Sequence, residues 1–215
     1  MFVNDIENQS DISGLKVSAT PKVLANIHEN WCKAAVWDRR PLATFQAWMD
    51  GLKFEQLPTA RLILRPDTAN DAVMSVCHST SISDDPEAHV LADDVAALTH
   101  IFASVMETEF VSLRLQASNN GSQLKFDPQA LKVRLHCVYR GEGPLYECST
   151  RRDGRAQTYK VPNGSALIAR GHEWQSDACI ASICPTPSDA HSDDVRFVLT
   201  LEAVSETHRI PTHYH

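Results

Sequence analysis

The sequence has little positive charge. Lysines and arginines number 20 against 27 aspartates and glutamates, which gives a formal net charge of −7. Because proteins that bind nucleic-acid phosphates concentrate Lys and Arg on one surface, this balance predicts no nucleic-acid partner. The one local basic cluster, Arg151, Arg152 and Arg155, contains Asp153 and is interpreted as a solvated loop rather than a phosphate site.

Long apolar runs are also missing. None approaches the roughly 20 residues of a membrane-spanning helix, so the sequence predicts no membrane partner. Residues 1–14 are polar and acidic and lack the basic and apolar regions of a secretory signal, which favours a cytoplasmic protein. The six cysteines are scattered and form no Cys-x-x-Cys pair, so we expect free thiols and no cysteine-based zinc site.

Three common catalytic signatures are absent as well: the Gly-x-Ser-x-Gly nucleophile turn, the P-loop and the dinucleotide-binding fingerprint. Cys137 and His136 are neighbours on a predicted strand and therefore face opposite ways, so they do not form a nucleophile–base pair. The sequence alone does not decide whether the protein is an enzyme.

What is present is a globular composition, with 43% hydrophobic and 22% charged residues. Helical patterns dominate the first half. The longest runs from Pro86 to about Met106 and carries one stripe of mainly apolar residues, which also contains Asp94. We interpret it as a core helix and assign it no chemistry. Residues 61–65 alternate and end at Pro66, which is typical of an edge strand.

From Phe110 onward, short β-type runs alternate with turn residues. The predicted strands of this part are Val111–Gln116, Lys132–Tyr139, Leu145–Cys148, Thr158–Val161, Ala166–Ala169, Cys179–Ile183 and Arg196–Leu201. Helices followed by many strands predict an α+β fold in which N-terminal helices cover a jelly-roll barrel. The expected regions are a loose arm at 1–19, a helical region at 20–109, the jelly-roll β region at 110–205 and a His-containing tail at 206–215, all within one structural unit.

The strand predicted at 132–139 has two chemically different faces. Leu135, Cys137 and Tyr139 point one way, whereas Arg134 and His136 point the other. If the polar face lines the barrel, Arg134 and His136 can hold an anion. The interpretation we favour from sequence is the simpler one, in which both face solvent on a half-exposed strand.

A set of segments in order carries a family resemblance. The segments are AVWDRRPLATFQAWMDGL, ADDVAALTHIFASVM, LRLQ, KFDPQ, VRLHCVYRGEGPLYE, ALIARGHEW and RFVLTLE, which together extend from Ala35 to Glu202. This order resembles the domain of unknown function 1826 family, a set of uncharacterised bacterial proteins. The resemblance implies a double-stranded β-helix of the cupin and oxygenase type.

In that family the Lys-Phe segment continues as Phe-His-x-Asp, and a later strand carries His-Arg-Ser-Pro. This pattern resembles the facial triad that holds Fe(II) in jelly-roll oxygenases, and its Arg would suit the carboxylate of a co-substrate. Here Asp127, Gln129 and Ser182 stand at the three ligand positions, Ile183 at the arginine position, and Gln116 where an acidic residue is expected. Because this is a poor ligand set for a transition metal, we expect no metal or other cofactor in the barrel.

Metal binding by other histidines is the alternative. They are His172, His208, His213 and His215. Imidazoles spaced as in the C-terminal tail can bind divalent zinc, nickel or copper, although a flexible tail is the interpretation we favour.

Two functional hypotheses follow. The first is a metal-free jelly-roll protein, derived from a metal-dependent relative, that binds a small molecule or anion or has a regulatory role. The second is an oxygenase-like or other metal-assisted enzyme with a pocket rebuilt around Asp127, Arg134 and His136. The pocket candidates common to this reasoning are Gln116, Asp127, Gln129, Arg134, His136 and Ser182. A homodimer is the default expectation, since strand edges in such folds often pair.

Overall fold

The computed structural model of the protein describes residues 14–119, 133–150, 156–171, 179–184 and 195–204. Within these residues the chain forms three α-helices and ten β-strands. The α-helices are α1 (Ala43–Gly51), α2 (Ala69–Ser79) and α3 (Pro86–Met106), and 3₁₀ helices occupy Pro21–His28, Phe54–Gln56 and Pro66–Thr68. The strands are β1 (Leu15–Ser18), β2 (Ala34–Trp37), β3 (Ala60–Leu64), β4 (Val111–Ser118), β5 (Arg134–Arg140), β6 (Leu145–Thr150), β7 (Ala156–Lys160), β8 (Ala166–Ala169), β9 (Cys179–Cys184) and β10 (Arg196–Ala203).

The strands form two sheets. The large sheet has the order β1-β2-β8-β5-β10-β4-β3, and the small sheet has the order β7-β6-β9. Neighbouring strands are antiparallel except β1 and β2, which are parallel, so the large sheet is mixed. Strands from the second half of the chain are thus divided between two sheets, as in a jelly roll, and the predicted α+β class is confirmed.

One core lies between the helices and the large sheet. On α3 the fully buried side chains Leu91, Val95, Leu98 and Phe102 follow the helical period and pack in the same cluster as Leu199 of β10. Each such buried side chain stabilises the fold by about 1.5–3 kcal/mol. The helix ends where predicted, and Glu107 beyond it adopts a left-handed conformation with φ 48°.

A second, smaller core lies between the two sheets. Val36 of β2 and Leu167 of β8 pack there in the same cluster as Tyr146 of β6 and Tyr159 of β7. Because this cluster joins side chains from both sheets, the face of the large sheet that carries Leu167 is the one turned towards the small sheet.

The order of elements differs from the predicted regions near the N-terminus. β1 takes residues 15–18 out of the predicted loose arm, because its backbone pairs with β2. β2 and β3 lie within the region 20–109 and add strands to the large sheet, and β3 coincides with the edge strand predicted at residues 61–65. β3 lies at the edge of that sheet, as its alternating sequence and following proline predicted.

Among the described helices, α3 is the one whose length and composition would allow it to cross a membrane. This is weak evidence for a membrane protein, because a buried core helix meets the same test, and α3 packs against the large sheet.

Candidate functional site

The strand β5 carries the two candidate residues that the structure describes most fully. Its burial pattern is continuous, with His136 only 6% exposed between the buried Leu135 and Cys137. Leu135, Cys137 and Tyr139 belong to the core under the helices. Since side chains alternate along a strand, Arg134 and His136 face the small sheet. The favoured expectation that this strand is half exposed to solvent is therefore wrong.

His136 is held in an environment that keeps it neutral. Burial, and secondarily the charge of Arg134, lowers the pKa of His136 to about 3. Its Nδ1 lies 3.3 Å from the hydroxyl oxygen of Thr200, which is directly opposite on β10. On the other side it pairs in register with Leu167 of β8. At neutral pH the imidazole is thus an uncharged polar group at the border of the apolar core between the sheets.

Arg134 is held by an acidic neighbour. It forms an ion pair with Glu202, the residue opposite on β10, and the two side chains are 24% and 33% exposed. Because Glu202 already neutralises the charge of Arg134, Arg134 is less suitable for binding an anionic ligand than an arginine without an ion-pair partner.

Two such arginines lie on the same face of the large sheet, further from the apolar core. The register of the sheet places His136, Thr200, Arg114 and Arg61 in one row across β5, β10, β4 and β3. Arg61 and Arg114 are exposed, stand directly opposite each other, and form no ion pair within the described part of the chain. Like charges directly opposite on neighbouring strands destabilise a sheet. The row therefore changes from apolar and neutral at one end to repelling positive charges at the other.

The remaining candidates fall in different places. Gln116 is exposed on β4, two residues from Arg114 and on the same face. The register pairs Ser182 of β9 with Glu147 of β6. Asp127, Gln129, His172, His208, His213 and His215 lie outside the described residues.

Among the described residues, no set of side chains suits a metal of the kind that the family pattern implies. Within the described ranges, no three His, Cys, Asp or Glu side chains converge to hold a metal ion. His136 has the positive charge of Arg134 beside it, which disfavours a divalent cation as it disfavours the imidazolium form. The sequence-aligned ligand positions offer one carboxylate, one amide and one hydroxyl, a weak set for Fe(II).

Sequence reasoning missed a second polar cluster, on the other face of the large sheet. Asp94 of α3 accepts hydrogen bonds from both terminal nitrogens of Arg39, and the hydroxyl of Tyr139 donates to it over 2.6 Å. The Arg39 guanidinium also lies over the ring of Trp37, at 4.7 Å from its centroid. A carboxylate on the apolar stripe of α3 was the available signal, since a partly buried Asp requires partners.

The acid–base properties of this cluster favour a structural role. Burial raises the pKa of Tyr139 well above its usual value, so the phenol stays protonated and donates to Asp94. Burial likewise raises the pKa of the Cys137 thiol to about 12, which makes it a poor nucleophile. The cluster thus joins α3, β5 and the segment after β2 without supplying a reactive group.

The fold resembles that of a 2-oxoglutarate-binding dioxygenase. A solved structure of the dioxygenase for auxin oxidation 1 from Arabidopsis thaliana, a binary complex with 2-oxoglutarate, matches with a TM-score of 0.54 at 10% identity, over 90% of this chain and 92% of that one. The rice dioxygenase for auxin oxidation gives a TM-score of 0.41 at 12% identity, over 89% and 83%. A Burkholderia pseudomallei oxidoreductase of the 2OG-Fe(II) oxygenase family gives 0.35 at 10%, over 84% and 87%. The last two are too distant to support an argument, and the first concerns fold alone.

The family is defined by sequence. The chain belongs to the family described as protein of unknown function DUF1826, whose model matches residues 18–202. No curated protein matches the chain significantly. The resemblance drawn from the ordered segments is therefore confirmed.

Proposed function

We propose that this protein is a metal-free binding protein that takes a small anion, of the carboxylate class, on the face of the large sheet that is turned towards the small sheet. The observation that supports this most strongly is the pair Arg61 and Arg114. They are directly opposite on β3 and β4, both exposed, and form no ion pair within the described residues. An anion between them would replace their repulsion by attraction.

The neighbours of this pair suit a small carboxylate. Gln116 adds an exposed side-chain amide on the same face, two residues along β4. Thr200 adds a hydroxyl in the same row, opposite Arg114. Guanidinium groups bind carboxylates through two parallel hydrogen bonds, and amides and hydroxyls supply further donors. Beyond Thr200 the row continues to His136 and Leu167, which are buried between the sheets, so the exposed part of the row ends at Thr200.

We also propose an evolutionary origin, a cellular compartment and an oligomeric state for the protein. The oxygenase fold and the family's His-x-Asp pattern favour descent from a metal-dependent relative, with the two sheets closed as a barrel. Three buried cysteines among the described residues, Cys32, Cys77 and Cys137, are free thiols, which suits a reducing compartment such as the cytoplasm. For the proposed homodimer, β3 is a suitable edge, since it exposes Ile63.

A second candidate function is an enzyme with a pocket rebuilt around Asp127, Arg134 and His136. The observation that favours it is the likeness in fold to a 2-oxoglutarate-binding dioxygenase. His136 is buried, and Arg134 forms an ion pair with Glu202. Both observations argue against a direct role for these residues in proton transfer or in substrate binding.

Metal content separates the two candidates. The full untagged chain is purified and its iron, zinc, manganese, nickel and copper are measured by mass spectrometry, for the wild type and for Asp127→Ala and His136→Ala. We expect less than stoichiometric metal in all three proteins. Stoichiometric metal in the wild type that is lost in a variant would contradict the proposal and favour the enzyme.

A thermal-shift screen then identifies the chemical class of ligand that the protein binds. A set of 2-oxoacids, dicarboxylates and monocarboxylates is screened together with neutral amides of the same shape. A ligand that binds only the folded state raises the unfolding temperature. We expect carboxylates, and not their amides, to raise it. A protein stabilised equally by both would contradict an anion site.

A further inference from the structure

A cavity of about 180 Å³ lies on the helix side of the large sheet, away from the arginine pair. Its lining includes Arg40 and Leu42 before α1, Phe45 within α1, Val90 on α3 and Tyr139 on β5. An apolar cavity of roughly this size, about 150 Å³, accommodates a benzene molecule. The cavity is therefore large enough for one aromatic ring or a branched aliphatic group.

The rim of this cavity exposes apolar side chains. Leu42 is 70% exposed and Val90 is 43% exposed, and both belong to the lining. Inside, the rings of Phe45 and Tyr139 meet edge to face with their centroids 6.2 Å apart. Exposed apolar residues beside an aromatic-lined concave site are typical of places that bind ligands.

The polar part of the lining is positive. Arg40 is exposed, forms no ion pair within the described part of the chain, and also lines an adjoining groove of about 670 Å³. The buried Nε of Arg39 makes no hydrogen bond among the described residues. The charge of the lining residue Asp94 is neutralised by Arg39, and Tyr139 donates a hydrogen bond to it; Asp50 in the groove accepts a hydrogen bond from Gln46.

The start of α1 adds to this positive character. Its N-cap residue Leu42 offers no side-chain hydrogen bond, and its first turn has no acidic residue. The first backbone N–H groups of a helix favour a negative charge nearby. An anionic group at the cavity mouth would thus meet Arg40 and the helix end together.

We propose that this cavity binds a small monocarboxylate whose apolar group has about the size of a benzene ring. The ring lies against Leu42, Phe45 and Val90, and the carboxylate is bound by Arg40. This site is on the opposite face of the large sheet from the anion site of the proposed function, and it does not depend on that function.

The binding is tested by isothermal titration calorimetry on the full chain. The probes are benzoate, its neutral analogue benzamide, and acetate, which has the charge without the ring. We expect benzoate to bind, benzamide to bind about tenfold more weakly, and acetate to show no heat that is lost in Arg40→Gln. Absence of benzoate binding would overturn the proposal, and this includes the case in which another segment or a second copy of the chain fills the cavity.

Two variants locate the binding site. Arg40→Gln is expected to weaken benzoate about tenfold and to leave benzamide unchanged, and Val90→Trp is expected to abolish both by filling the cavity. The matched controls are Lys22→Gln and His89→Trp, which change exposed residues that do not line the cavity. Thermal melts confirm that each variant folds. Benzoate binding that is unchanged in Arg40→Gln or in Val90→Trp, or that is lost in Arg114→Gln instead, overturns the proposal.

Discussion

At the scale of single residues, His136 shows how burial decides a role. The imidazole lies between two sheets, opposite Thr200 and Leu167, and its pKa falls to about 3. A histidine that stays neutral through the physiological pH range acts as a polar packing group and not as a proton donor. The alternating sequence of β5 shows that His136 and Arg134 share a face, but only the packing of the small sheet shows that the face is covered.

This environment predicts a dependence of stability on pH. The unfolded chain gains a proton on His136 near pH 6.5, whereas the folded chain does so only near pH 3. The stabilisation is therefore complete above about pH 6.5 and is lost as the pH falls towards 3, by an amount on the order of a few kcal/mol. In His136→Asn, urea unfolding between pH 6.5 and pH 3 should show a smaller decline in the free energy of unfolding than in the wild type. His89→Asn is the exposed control, and an unchanged decline in His136→Asn would contradict this assignment.

The repulsion within the arginine pair predicts that replacing one arginine stabilises the ligand-free protein, although it weakens ligand binding. Removing one of two repelling charges relieves the repulsion, so Arg114→Gln should raise the free energy of unfolding of the ligand-free protein by about 0.2–1 kcal/mol. The gain should shrink at high salt, because salt screens exposed charges. Lys22→Gln removes an exposed charge elsewhere and should give no such gain. A loss of stability in Arg114→Gln at low salt would show that Arg114 already has a partner.

At the scale of elements, the turn between β7 and β8 fixes the segment that precedes α1. Gly164 has a φ of +79°, and a Cβ there would overlap Cδ and Cγ of Pro41. This position therefore needs glycine both for its conformation and for the close approach of the chain. The same contact sets the position of Arg39 and Arg40, which lie directly before Pro41 and line the cavity.

A pair of glycine substitutions tests this. Gly164→Ala should lower the free energy of unfolding by at least about 1 kcal/mol, because it adds strain and displaces Pro41. Gly51→Ala is the matched control: a Cβ there meets nothing within 4 Å, and the position ends α1. Alanine should stabilise that position by up to about 1 kcal/mol. Equal effects of the two substitutions in urea unfolding would contradict the role given to Gly164.

Sequence patterns predicted the elements that have local signals. α3 is bounded as expected because Pro86 begins it and its apolar stripe is continuous, and β8 is bounded as expected because a Pro-Asn-Gly turn precedes it. β1 was missed because it is short and because β2, the strand with which it pairs, is distant in the sequence. The Arg39–Asp94–Tyr139 cluster was missed for the same reason, since its members are 45 and 55 positions apart.

At the scale of the whole molecule, a fold similar to that of a solved dioxygenase presents an exposed pair of arginines, which we propose bind an anion without a metal. The described face between the sheets runs from the apolar Leu167 through the neutral His136 to the exposed Arg114 and Arg61. Fold and family alone do not define the activity, because one fold supports many functions. The side chains on that face are what the functional proposal depends on.

The most direct test of this proposal is a calorimetric titration of the carboxylate that gives the largest thermal shift into wild type, Arg114→Gln, Arg61→Gln and Lys22→Gln, in metal-free buffer with a chelator. We predict that the wild type and Lys22→Gln bind with the same affinity and that each arginine variant binds about tenfold more weakly, since each loses one charged hydrogen-bonding group. Binding that requires added Fe(II), or that is unchanged in both arginine variants, would contradict the proposal.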